Sequence, residues 1–165
     1  MIIIRPGVRE DIPALLEIYN YEVQNGTATL DIHPKTLQEW EKWFDDHGKG
    51  NHPLLVAETD PGCIAGYATL SPYRAKEAYA ATVELSVYIA PACRRQGVAT
   101  RLMEEILEFA REDENTHLVV SVITSGNKAS ESLHDKFGFT FAGNIPEAGV
   151  KFGEYLGIDN YYLIV

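Results

Sequence analysis

A mixed α/β fold, one sheet with helices on its faces, follows from three features of the 165-residue sequence. Apolar residues alternate with period two in some segments and recur at helical spacing in others. The two kinds of segment interleave in the order βααββ and then βαβαββ, the pattern of a mixed sheet covered by helices. Hydrophobic residues make up 45% of the chain, and no Gly/Ser-rich or Pro-rich linker or internal repeat divides it. Residues 1–165 therefore read as a single domain with one sizeable core.

The elements follow in order. Residues 2–5 form a short apolar strand. Ile12, Leu15, Leu16, Tyr19 and Val23 then recur at helical spacing behind Asp11, and a polar loop surrounds Asn25-Gly26. A second helix is expected from near Pro34, with Leu37, Trp40 and Phe44 on one face. Residues 53–58 and 64–70 flank Pro61-Gly62 and read as a hairpin. Residues 81–89 form a strand in which Val83, Leu85, Val87 and Ile89 alternate with Glu84, Ser86 and Tyr88. A Gly-containing loop leads to a helix striped by Val98, Leu102, Ile106 and Phe109. Residues 118–123 read as a buried strand, 129–136 as a short helix, and 139–142 and 158–165 as the last two strands.

The formal net charge of −10 argues against a nucleic-acid partner or an anionic membrane surface, both of which need a basic footprint. Cys63 and Cys93 lack metal-type spacing and suit free thiols in a reducing compartment; no metal site is expected. The opening apolar run is too short for a signal peptide, and no stretch approaches membrane-spanning length. A soluble cytoplasmic protein is the expectation.

The most informative segment runs from Val87 to Thr100, where a strand gives way to a turn and then a helix. Gly97 and Ala99 keep the helix start free of bulk, so its amides and dipole can meet an anion, and Arg94 and Arg95 add cationic donors. A pyrophosphate would fit. The residues alone admit a second reading, in which Gly97 closes an ordinary turn and the arginines are solvated. Neither a Gly-Lys-Ser/Thr ending nor a GxGxxG fingerprint is present.

Arg94-x-x-Gly97-x-Ala99 resembles the Q/R-x-x-G-x-G/A loop of the GCN5-related N-acetyltransferase (GNAT) superfamily. Asn127 to Phe139 resembles that family's N-x-x-(A/S)-x-x-L-(Y/H)-x-x-x-G-F stretch. The resemblance implies the GNAT fold: a mostly antiparallel twisted sheet splayed between its fourth and fifth strands, with helices on both faces and acetyl-CoA in the splay. Tyr19-Asn20, Thr82-Val83-Glu84, Leu133-His134 and Gly149-x-Lys151-x-Gly153 are similar to the branch containing phosphinothricin and methionine sulfoximine/sulfone acetyltransferases. That branch implies transfer to the α-amine of a small amino-acid analogue, and a homodimer.

Roles follow for particular residues. Glu84 lies within an apolar strand, where burial would raise its pKa and suit it to accept a proton from the amine. Alternation alone would place it on a solvent face; the resemblance implies the general base. By the same resemblance, the backbone of Val87 and Tyr88 would stabilise the oxyanion and the strand through Ile89 would pair with the pantetheine arm. Arg94, Arg95, Gln96, Gly97, Val98, Ala99 and Thr100 would hold the diphosphate. Asn127 would bond the pantetheine arm or cap its helix, Ser130 would touch the cofactor or fill the first turn, and His134 would assist thiolate departure as an acid or an orienting donor. The acceptor is expected near Tyr73, Arg74, Lys76 and Tyr79, just upstream of Glu84. Two departures from the branch pattern, Ala80-Ala81 and Tyr155-Leu156-Gly157, bear on the acceptor pocket. The rivals are a polyamine or peptide-amine acetyltransferase and a non-catalytic acyl-CoA sensor.

Overall fold

The structure, a computed structural model, describes all 165 residues. Seven strands make one sheet in the order β1-β2-β3-β4-β5-β7-β6. They are β1 (Ile3–Pro6), β2 (Leu54–Asp60), β3 (Cys63–Pro72), β4 (Thr82–Ile89), β5 (Leu118–Thr124), β6 (Thr140–Lys151) and β7 (Glu154–Ile164). Four helices accompany them: α1 (Ile12–Asn25), α2 (Leu37–Asp45), α3 (Val98–Glu112) and α4 (Lys128–Lys136). Only β4 and β5 pair in parallel; every other neighbouring pair is antiparallel. The order of elements is the one the periodicity predicts.

Two cores sandwich the sheet. The stripe of α3, with Val98, Leu102, Met103, Ile106 and Leu107, packs on one face with Val83 and Leu85 of β4. Residues of α1 and α2, among them Leu15, Ile18 and Trp40, pack on the other with Val56 and Tyr67. Because side chains alternate along a strand, Glu84, Ser86 and Tyr88 look toward the α1/α2 face, and Tyr88 packs against that second core. The solvent-facing alternative for Glu84 thus fails: helices roof the face it points to.

Three boundaries differ from the expected ones. Helix α2 begins at Leu37, not near Pro34, because Thr36 caps it: its Oγ1 accepts from the Glu39 amide at 3.2 Å, and its own amide donates to the Glu39 carboxylate at 2.7 Å. Leu37 itself is exposed, so the buried face of α2 starts at Trp40. The last two strands form one long hairpin over 140–151 and 154–164 instead of the short runs 139–142 and 158–165. Register shifts after Phe141 and Ile145 interrupt the alternation that would have revealed it.

Candidate active site

The parallel pairing of β4 with β5 lasts three residues, from Thr82↔Leu118 to Glu84↔Val120, and then stops. Beyond it β4 stays bonded to β3 as far as Gly66↔Ile89, while β5 stays bonded to β7 as far as Thr124↔Ile158. The sheet therefore splits at Glu84, and the inner edges of both strands lose their ladder partners. A cleft of about 990 Å³ fills the split. Val87, Tyr88 and Ile89 line it from β4, and Asn127, Ser130 and His134 from α4 and its cap. Arg94, Arg95, Gly97, Val98, Ala99 and Thr100 close one end. Glu84 lies at the point where the strands part.

The closing turn is built to present amides. Arg95 and Gly97 adopt left-handed backbone, with φ of 59° and 82°. A Cβ at Gly97 would meet no atom within 4 Å, so this glycine answers to backbone angle and not to crowding. The first backbone bond into α3 runs from the Arg101 amide to the Gly97 carbonyl at 3.1 Å. The amides of Val98, Ala99 and Thr100 thus precede any intrahelical acceptor and, with the helix dipole, form an anion site.

The arginines differ. Arg94 is ion-paired to the Glu22 carboxylate, and its guanidinium lies 5.6 Å from the Tyr21 ring centre. Arg95 lines the cleft and makes no ion pair. Gln96 does not line the cleft; its side-chain amide donates to the Ala92 carbonyl at 2.9 Å and braces the turn.

The Glu84 carboxylate forms no hydrogen bond or ion pair with another protein group, and burial pushes its pKa above the ordinary value of 4.5. Its register partner on β3 is Ser71. Ser71 is in turn tied to His47, whose Nδ1 lies 2.7 Å from the Trp43 carbonyl and whose Nε2 lies 2.7 Å from Ser71 Oγ. A carbonyl only accepts, so the His47 proton sits on Nδ1 and Ser71 donates to Nε2. Burial lowers the His47 pKa, in keeping with a neutral ring.

His134 obeys the same logic. Its Nδ1 donates to the Ser130 carbonyl at 2.7 Å, and Nε2 is buried without a partner. Burial lowers its pKa below the ordinary 6.5. The neutral ring therefore carries a lone pair at Nε2, and donation from that atom requires the imidazolium. Asn127 caps α4, its Oδ1 accepting from the Ser130 amide at 3.2 Å, while its NH₂ group remains uncommitted at the cleft.

A second cavity of about 220 Å³ lies on the α1/α2 face. It shares Ser86 and Tyr88 with the large cleft and is walled by Tyr19, Trp40, Trp43 and Tyr67. Tyr73, Arg74, Lys76 and Tyr79 line neither cavity. Arg74 packs its guanidinium over Tyr73 and Tyr79, at 4.9 and 5.7 Å from their ring centres, and Lys76 is exposed.

Two further charged residues belong to the site although the sequence assigned neither a role, Lys151 standing only as part of the Gly149-x-Lys151-x-Gly153 likeness. Glu22 is nearly buried beside the cleft. Lys151 is 3% exposed, and its Nζ donates to the carbonyls of Thr29 at 2.8 Å and Glu22 at 3.2 Å. Glu22 was detectable, since it falls three residues after Tyr19 on the apolar stripe of α1. The burial of Lys151 was not, because it depends on a hairpin that the periodicity hides.

A sheet that splits beside one parallel pair and closes the split with a strand–turn–helix offers a slot for a long thioester whose diphosphate end meets free amides. That is the layout of a CoA-dependent acyltransferase. Comparison with known proteins agrees: residues 15–139 match the Acetyltransferase (GNAT) family, and the chain belongs to it. It is an acetyl-CoA-dependent N-acetyltransferase. It is 39% identical to phosphinothricin N-acetyltransferase of Streptomyces coelicolor, over 96% of this chain and 93% of that one. It is 37% identical to the L-methionine sulfoximine/L-methionine sulfone acetyltransferase of Pseudomonas aeruginosa, over 94% and 90%. A GNAT superfamily phosphinothricin acetyltransferase from Sinorhizobium meliloti, solved in complex with acetyl-CoA, superposes with a TM-score of 0.94 at 28% identity, covering 99% of this chain and 88% of that one. No helix is long and apolar enough to cross a membrane.

Proposed function

We propose that the protein transfers acetyl from acetyl-CoA directly to the α-amine of a small amino-acid-like molecule, of the methionine sulfone, methionine sulfoximine or phosphinothricin type. The observation that carries this reading is the place of Glu84, an unpaired, half-buried carboxylate where the cofactor cleft begins. Its raised pKa brings it closer to that of an amine's proton and makes it a better general base than an exposed glutamate. The relatives' named substrates support the acceptor class.

In this reading the diphosphate rests on the amides of Val98–Thr100 with Arg95 beside it, and the pantetheine arm bonds the free edge of β4 through Ile89. The backbone at Val87 and Tyr88 stabilises the oxyanion of the tetrahedral intermediate. Glu84 removes the amine proton as nitrogen attacks the thioester carbon, and the C–S bond breaks to release CoA. His134 assists the thiolate as a donor in its imidazolium form; its neutral form accepts from the product thiol. Tyr73, Arg74, Lys76 and Tyr79 belong to the outer rim of the acceptor entrance, just past the Pro72↔Val83 pair. The likeness to this branch supports a homodimeric working unit, and light scattering is expected to give twice the chain mass of 18.4 kDa; a mass of one chain overturns it.

Glu84→Gln tests the base. Turnover is expected to fall about 10²–10⁴-fold with acetyl-CoA affinity unchanged, and equal turnover across a pH series removes Glu84 from the mechanism. A thiol-release assay with methionine sulfone, phosphinothricin, putrescine and N-terminal peptides tests the acceptor. Activity on putrescine or peptides alone reverses the choice. Tight acetyl-CoA binding with no thiol release for any amine supports a non-catalytic sensor.

A further inference from the structure

We propose that the 220 Å³ cavity on the α1/α2 face is the acceptor pocket, and that it selects amines bearing an oxygen group that only accepts hydrogen bonds: a carboxylate, sulfone or phosphinate. The proposal rests on the acetyltransferase reading and specifies where and how that site chooses its substrate.

Position comes first. The cavity shares Ser86 and Tyr88 with the cofactor cleft, so the two spaces abut along β4. Its Ser71 is the register partner of Glu84, and its Thr69 that of Ser86. Directly opposed residues of an antiparallel pair hold their side chains on one face, about 5 Å apart. An amine at the Ser71 end therefore stands beside the Glu84 carboxylate. The volume is below the roughly 300 Å³ at which pockets for drug-sized ligands begin, and suits an amino-acid-sized molecule.

Selectivity comes from the polar inventory. Trp40 Nε1 and the Tyr67 hydroxyl are both buried and both without a hydrogen-bond partner. An indole N–H can only donate, so only an acceptor atom satisfies it. Trp40 cannot turn away, because it is stacked between Tyr19 and Trp43 at centroid distances of 4.5 and 4.3 Å. Ser71 has the opposite character: having donated to His47, its oxygen retains lone pairs alone. Asp31, at the same cavity, adds a carboxylate that accepts from the Tyr19 hydroxyl and lies 3.5 Å from the Nζ of Lys35. Lys35, on the same wall, is a cation that also favours an anionic oxygen group. The pocket thus offers acceptors for an amine and orphaned donors for an oxygen. An amino acid or its sulfone meets both, whereas a polyamine leaves the indole unpaired.

The chain has two tryptophans, so ¹⁵N-labelled protein gives two indole N–H resonances, which Trp43→Phe assigns. Titration with methionine sulfone, without acetyl-CoA, is expected to move the Trp40 resonance saturably, and putrescine is expected to leave it in place. Trp40→Phe and Tyr67→Phe should each raise KM for methionine sulfone about tenfold while leaving KM for acetyl-CoA unchanged. Turnover of methionine sulfone with a motionless Trp40 resonance, or an equal response to putrescine, overturns the pocket assignment. A saturable Trp40 shift without any acetylation upholds the pocket and overturns the proposed reaction. The wild-type titration decides the matter even if Trp40→Phe fails to fold.

Discussion

Glu84 owes its character to its surroundings on β4. No neighbouring charge sets its pKa; removal from water does, and removal from water disfavours the carboxylate. In the proposed role of base Glu84 is competent only when ionised, so its raised pKa moves the acid limb of kcat/KM upward. The limb is expected above pH 4.5, with activity complete above it and lost as pH falls through it. Glu84→Gln should abolish the limb along with most of the rate, and a limb that survives this substitution assigns the titration elsewhere. Much at this scale was legible in the sequence: Glu84, the Gly97 turn and His134 all stand out in local motifs. The orientation of the two imidazoles was not, because each tautomer is fixed by one carbonyl, of Ser130 or Trp43, that only the folded helix brings within 2.7 Å.

At the scale of the element, the β4–turn–α3 unit separates two arginines that the sequence makes look equivalent. Arg95 lines the cleft with an unpaired charge, whereas Arg94 is spent on Glu22. Arg95→Ala is therefore expected to weaken acetyl-CoA binding, by roughly tenfold for the loss of one charge-assisted bond worth about 1.5 kcal/mol, with little change in melting temperature. Arg94→Ala should do the reverse, leaving the Glu22 carboxylate without its partner and lowering stability more than affinity. Calorimetric titration and thermal unfolding of the two variants separate the outcomes, and equal effects on both readouts would show the ion pair to be incidental. Gly97→Ala carries a third expectation. Its left-handed φ of 82° costs an alanine about 1–2 kcal/mol, so the turn should loosen and acetyl-CoA affinity should fall even though the methyl meets no neighbour. The β6–β7 hairpin shows why other elements were harder to read. Gly143, Pro146 and Gly149 interrupt the alternation, and the strand tolerates the proline because β6 is the sheet edge and that residue can face away from the ladder.

At the scale of the whole molecule, that same hairpin reaches across to the opposite wall of the cleft. Phe152 and Gly153, at φ of 53° and 74°, make a tight left-handed turn that returns the chain immediately after Lys151. Lys151 thereby projects into the gap between α1 and the 26–31 loop and bonds a carbonyl of each. Thr27, Ala28, Thr29 and Leu30 of that loop line the cofactor cleft, and Glu22 of α1 holds the Arg94 of its closing turn. One ammonium group thus ties the C-terminal hairpin to the N-terminal wall of the site, over sequence separations of 122 and 129 residues. Burial pushes its pKa down, while Glu22 and Asp31 oppose that shift. Lys151→Met keeps the length of the side chain but leaves the Thr29 carbonyl without a donor, at about 1–3 kcal/mol for an unsatisfied group, while the Glu22 carbonyl keeps the Gly26 amide at 3.0 Å. The expected outcome is a lower urea midpoint together with a higher KM for acetyl-CoA, since the loop that lines the cleft loses its anchor. A variant that loses stability with KM unchanged makes Lys151 a prop for the fold alone, and one unchanged in both shows that the hairpin and the wall hold together without it.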